Sequence, residues 1–181
     1  MAELAPVSAP PSGPPLAPRS VRPLSVAIVD SGVDGAHPWL EGAKIRYYQV
    51  EKKGDFFIVV DGESGDASGH GTACAGIIHS LAPKARITSV RVLGPNLTGK
   101  AAAFHAGLQW AVDQGFHVIN LSLGTTKKDW ALAFHEVCDQ AYFSNSSIAV
   151  TSSGMRVVST STRPSTTSCA SWYRGSTSAP P

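Results

Sequence analysis

Residues 25–32 read "SVAIVDSG", and this stretch decides the fold. Val26, Ala27, Ile28 and Val29 form a short unbroken apolar run rich in β-branched side chains, closed by Asp30 and the turn formers Ser31 and Gly32. A run of that length without polar alternation marks a strand buried on both faces, as in a parallel sheet covered by helices. Working outward, "KIRYYQV" (44–50) and "FFIVVDG" (56–62) predict two further strands near an edge, and "RITSVRVLG" (86–94), "HVINLSLG" (117–124) and "SIAVTSSG" (147–154) predict three more.

Between these strands the period changes. A helix is predicted from His70 to Leu81, stopped by Pro83. Lys100–Gln114 carries Ala101, Phe104, Leu108, Ala111 and Val112 at helical spacing and ends at Gly115. Asp129–Tyr142 places Trp130, Phe134, Val137, Cys138 and Ala141 on one face. Strands alternating with helices of this length imply right-handed crossovers and an α/β, doubly wound, mostly parallel sheet.

The flanks differ. Residues 1–23 hold seven of the 13 prolines and are expected to be a disordered lead-in. Residues 24–154 carry the strand and helix pattern. Residues 155–181 contain 12 Ser or Thr in 27 positions, with no acidic residue and no clear period, and are expected to form an irregular tail.

Composition excludes several classes. With 15 basic and 13 acidic residues the net charge is +2, and no basic stripe interleaved with aromatics points to nucleic acid. Cys74, Cys138 and Cys169 are widely spaced and odd in number, which suggests neither a disulfide framework nor a metal site. No segment approaches the roughly 18 consecutive apolar residues of a membrane span. The start lacks a cationic and apolar leader, so a cytoplasmic location is the default expectation. No cofactor loop is found, no membrane partner is expected, and oligomeric state is left open.

The chemistry concentrates at two points. Functional groups of open parallel sheets gather at the carboxyl ends of the strands, where Asp30 sits. "GHGTACAGII" (69–78) sets His70 between two glycines at a helix mouth. The reading is that the glycines clear room for a substrate and that Gly71 removes a Cβ that would crowd the ring. A carboxylate that accepts the Nδ1 proton of an imidazole fixes its tautomer and frees the other nitrogen to deprotonate a nucleophile. Taken alone, Asp30 reads equally well as a strand-end turn former. Asp34 and His37 read as turn and surface residues, and His79, His105 and His117 as polar or capping residues. "HEVC" (135–138) lacks the second histidine of a zinc helix, so Cys138 reads as core.

Four stretches in order, "VAIVDSGVDGAHPWL", "SGHGTACAGII", "LAPKARITSVRVLG" and "VINLSLG", resemble the successive signatures of the subtilases, the subtilisin-like serine peptidases. The resemblance covers about residues 24–154. It implies Asp30 as the orienting aspartate and His70 as the general base of an Asp-His-Ser acyl transfer. It further implies that Ser122, Leu123 and Gly124, and opposite them Thr98, Gly99 and Lys100, line an extended peptide or protein substrate by backbone pairing. Ala73 stands where many relatives carry a second histidine. Cys74 resembles the free cysteine that proteinase-K-like members place beneath the catalytic histidine.

Two features depart from the pattern. Met155 follows Gly154 where the family presents its oxyanion asparagine, and the nearest approach to the serine motif, "GSTSAPP" (175–181) with Ser178, is out of register. Loss of a triad serine costs about 10⁶-fold in rate and loss of one oxyanion donor roughly 10²–10³-fold. The chain is therefore expected to be the N-terminal two-thirds of a subtilase domain, incomplete or altered after about Gly154 and inactive alone. A catalytically dead relative that binds extended peptides is the alternative. A phospho-accepting domain built on Asp30 leaves "GHGTACAG" unexplained.

Overall fold

The computed structural model describes residues 23–122, 128–144 and 146–150. Its centre is β1 (Ser25–Asp30), whose Val26–Asp30 are all buried. Strand β2 (Gly32–Val33), β3 (Lys44–Lys53), β4 (Phe56–Asp61) and β5 (Gly65–Asp66) follow, then helix α1 (His70–Leu81) and β6 (Arg86–Arg91). Helix α2 (Ala101–Asp113), β7 (Val118–Leu121), α3 (Ala131–Phe143) and β8 (Ser147–Val150) complete the described chain.

Six strands form one sheet in the order β4-β3-β6-β1-β7-β8, and β2 and β5 form a separate two-stranded ladder. β1 pairs in parallel with β6 and β7, β3 with β6, and β7 with β8. The sheet is α/β and mostly parallel, as the sequence predicts. Only β4 runs antiparallel, joined to β3 by a two-residue loop. Gly54 takes the first loop position at φ 62°, a left-handed conformation that glycine adopts without steric cost.

Alternation along the strands sorts the core into two layers. Ala27, Val29, Val90, Ile119 and Leu121 face α2 and α3 and meet Phe104, Leu108, Ala111, Val112, Val137 and Ala141. Ile28 and Ile87 face the other way, with Val33, Leu40 and Ala75. Helix α2 buries Ala103, Phe104, Gly107, Leu108, Ala111 and Val112, pairs repeating at the spacing of one helical face. Each fully buried Leu, Ile or Val of these layers contributes roughly 1.5–3 kcal/mol of transfer free energy. α1 buries small residues instead, Gly71, Thr72, Ala75 and Gly76, so its axis lies close against β1. The predicted helix start at Asp129 is a 3₁₀ turn, Lys128–Trp130, ahead of α3, a common way for an α-helix to begin. Among the described residues no helix is long and apolar enough to cross a membrane.

Candidate active site

The strand order reverses around β1: the chain builds β3 and β4 on one side, returns to β6, and then crosses to β7 and β8 on the other. Ligand crevices of open α/β sheets form at the carboxyl ends of strands beside such a reversal. Asp30, the last residue of β1, lies there and is 0% exposed. A buried carboxylate needs partners that favour its charge, and Asp30 has two. The Ser31 backbone N–H donates to Oδ1 at 2.7 Å, and the His70 Nδ1–H donates to Oδ1 and Oδ2 at 3.0 and 2.9 Å. A carboxylate oxygen accepts, so the proton of this hydrogen bond sits on Nδ1 and Nε2 takes no part in it. The imidazole itself is 40% exposed.

His70 owes this position to the first turn of α1, whose leading N–H groups have no partner within the helix. His70 N–H donates to Ser68 Oγ at 3.4 Å, Gly71 N–H to Ser31 Oγ at 3.2 Å, and Thr72 N–H to Asp66 Oδ2 at 2.8 Å. Asp66 also accepts from Ser31 Oγ–H at 2.7 Å, from Thr72 Oγ1–H at 2.6 Å and from Ser68 N–H at 3.0 Å. Partial burial pushes the Asp66 carboxyl upward, but these four donors outweigh it and hold the group at about 2.

The glycines beside His70 meet backbone demands that the sequence reading does not include. A Cβ on Gly71 would stand 2.0 Å from the Gly32 carbonyl oxygen, so the residue allows helix to meet strand-end backbone. Gly69 has open space around its Cβ position; its φ of 86° is what requires glycine. Both are backbone demands.

Cys74 lies one helical turn beyond His70. Its thiol approaches Ser122 Oγ at 3.6 Å, and Asn120 Nδ2 donates to that same hydroxyl at 3.1 Å. Burial pushes the thiol up, the Asp30 and Asp66 charges add to the rise, and hydrogen bonds to Ser122 and Asn120 oppose it. Donor atoms of Asp30, His70 and Cys74 lie within 4.8 Å of one another. A metal gathering all three would have to break the Asp30–His70 hydrogen bond and remove a proton from a thiol that holds it tightly.

Of the residues expected to line a substrate, Thr98, Gly99 and Lys100 are exposed in the loop between β6 and α2, and Ser122 follows β7. β6 and β7 are the two neighbours of β1, so the loops leaving them flank the strand that ends in Asp30. Lys100 is the extended residue that opens α2, and a Cβ on Gly99 would meet the Val92 carbonyl at 2.7 Å. Leu123, Gly124, Met155 and Ser178 lie outside the described residues. Ala73 helps line a depression of about 250 Å³ beside α1, together with Asp34, His37, Trp39 and Asp66. Asp34 accepts from Ala36 N–H, and His37 Nδ1 from Trp39 N–H, which are local turn contacts. His117 Nδ1 accepts from Ser25 N–H, His105 packs edge-on against Phe134, and His135 pairs weakly with Asp139. The sequence reading missed Asp66 and Asn120. "DASGHG" (66–71) held the clue for the first: an aspartate followed two residues on by serine is an Asx-turn former set just ahead of a helix start.

The model of the subtilase family matches residues 22–178. The chain belongs to the subtilase family. Among individual subtilases, thermitase of Thermoactinomyces vulgaris is 40% identical over 111 residues, 56% of this chain and 37% of thermitase. The minor extracellular protease Vpr of Bacillus subtilis is 37% identical over 143 residues, 72% of this chain and 17% of Vpr. Subtilisin Savinase of Lederbergia lenta is 36% identical over 111 residues, 56% of this chain and 38% of that protein. A crystal structure of a cold adapted subtilisin-like serine proteinase superposes with a TM-score of 0.53 at 26% identity, covering 71% of this chain and 45% of its own. That of a lanthipeptide protease gives 0.58 at 28%, covering 70% and 38%. The matched region thus spans less than half the length of each of these proteins.

Proposed function

We propose that this chain carries the acid–base half of a subtilisin-type serine endopeptidase, with residues 24–154 as the N-terminal part of the peptidase domain. The observation that carries the reading is the buried Asp30 carboxylate receiving the Nδ1–H of a partly exposed His70 at 2.9 Å. In the proposed reaction a serine hydroxyl gives its proton to His70 Nε2 as its oxygen attacks the scissile carbonyl carbon. Asp30 holds the tautomer and stabilises the imidazolium. The same proton then passes to the leaving amine as the peptide C–N bond breaks. Thr98–Lys100 and Ser122–Gly124 hold the substrate as an added strand between them.

A chimera tests this directly. Residues 1–150 of this chain, joined to the serine-bearing remainder of thermitase, are expected to take up a fluorophosphonate covalently and to lose that labelling in His70→Ala. A folded chimera that binds an extended peptide but takes no label overturns the enzyme reading and supports a peptide-binding relative.

A further inference from the structure

We propose that Asp66 is a positioning residue for the Asp30–His70 pair, holding both members in register through one carboxylate shared by the turn after β1 and the first turn of α1. This rests on the reading of Asp30 and His70 as an acid–base pair.

Four contacts carry the argument. Oδ1 accepts from Ser31 Oγ–H at 2.7 Å and Ser68 N–H at 3.0 Å; Oδ2 accepts from Thr72 Oγ1–H at 2.6 Å and Thr72 N–H at 2.8 Å. All four groups are donors, so the site is filled only by an acceptor with two equivalent oxygens. Each hydroxyl, having given its proton to Asp66, turns a lone pair toward a backbone donor. Ser31 Oγ receives Gly71 N–H at 3.2 Å, and Thr72 Oγ1 receives Asp34 N–H at 2.9 Å.

Two short routes then lead from Asp66 to the pair. Through Ser31 it fixes the residue whose backbone N–H donates to Asp30 Oδ1 at 2.7 Å. Through Thr72, and through Ser31 to Gly71, it fixes the two residues that follow His70 in the helix. Anionic charge at this end of α1 also complements the helix dipole. Without the carboxylate the first turn of α1 loses its Thr72 N–H partner, and the Ser31 hydroxyl loses the reason to orient toward Gly71. The imidazole is then free to swing on a frayed turn.

The isosteric Asp66→Asn substitution separates this role from simple space filling. An amide nitrogen would set its hydrogens against one pair of donors, so shape is kept while the network is broken. The readout is the low-field proton resonance of the His70 Nδ1–H···carboxylate bond in the 181-residue chain, with the backbone amides of β1, β6 and β7 as the control for folding. In Asp66→Asn and Asp66→Ala the sheet amides are expected to stay native-like while the low-field proton disappears or exchanges with water at least ~10-fold faster, the scale of one lost charge-assisted hydrogen bond. A merely structural role would lower the melting temperature and leave that proton in place below it. Should neither variant fold, Thr72→Val carries the same expectation, with Thr72→Ser restoring the resonance because it keeps the hydroxyl. A resonance undiminished in the Asp66 variants, or in Thr72→Val, overturns the positioning role and leaves the pair standing. A wild-type spectrum without the resonance overturns the pair and the positioning role together. Failure of the fluorophosphonate chimera with the resonance present and dependent on Asp66 overturns only the peptidase reading.

Discussion

Gly71→Ala measures how closely α1 must approach the end of β1. The added Cβ would stand 2.0 Å from the Gly32 carbonyl oxygen and 3.3 Å from Asp30 Cβ. Carbon and oxygen settle no closer than about 3.3 Å, so the gap must open by about 1.3 Å. Gly32 has little freedom to yield. Its φ is 107°, it pairs with Asp66 in the small ladder, and its own Cβ position lies 2.2 Å from the Gly65 carbonyl. The helix must therefore retreat and take His70 with it. The 2.9 Å Nδ1 contact would lengthen toward about 4.2 Å, past the roughly 3.2 Å limit of a hydrogen bond. Strain of about 1–3 kcal/mol combines with loss of a charge-assisted hydrogen bond worth roughly 1.5–3 kcal/mol, giving about 2.5–6 kcal/mol in all. Urea unfolding followed by circular dichroism is the assay, with a lower midpoint and an unchanged slope expected. Gly69→Ala is the internal standard. It meets no neighbour, so only its left-handed backbone costs, about 1–2 kcal/mol, and Gly69→Asn should cost less still. A Gly71→Ala protein as stable as wild type, or less affected than Gly69→Ala, would refute the reasoning.

Two further expectations come from ionisation. Asp66 titrates at about 2 in the fold against 3.8 without it, a depressed value. Its contribution is therefore complete above pH 3.8 and disappears as pH falls toward 2. The full linkage is about 2.4 kcal/mol, which solvent screening around a partly exposed carboxylate reduces to about 1 kcal/mol. Asp66→Asn should flatten that part of the stability-versus-pH curve, and a curve that keeps its wild-type slope between pH 4 and 2 contradicts the assignment. The Cys74 thiol, raised by burial and by the Asp30 and Asp66 charges, should reach half-maximal alkylation by iodoacetamide above pH 9, its ordinary value. Ser122→Ala removes a hydrogen bond that favours the thiolate, so the midpoint should move higher; a downward move counts against it.

How much of this was legible in the sequence depended on range. The apolar run of β1 and the paired spacing of α2 are local patterns, and each fixed its own element. The order of Asp30 and His70 along the chain pointed to their meeting because strand ends and helix starts of a parallel sheet share one edge. The backbone contact of Gly71 was not legible, because the carbonyl it meets, that of Gly32, lies 39 residues earlier and reaches it only on folding. Asp66 escaped notice for a similar cause: its partners Ser31 and Thr72 lie on opposite sides of it in the chain. The β3–β4 hairpin was foreshadowed by its edge-like composition, yet its antiparallel sense rested on one glycine in a two-residue loop.

Every side chain that grips the acid–base pair falls between Asp30 and Thr72, and strands β1, β3 and β6 are complete by Arg91. A ribosome releases this region before β7, α3 or anything beyond them. During synthesis the His70 imidazole and the Asp30 carboxylate can thus be brought together and clamped before the later strands and helices have emerged.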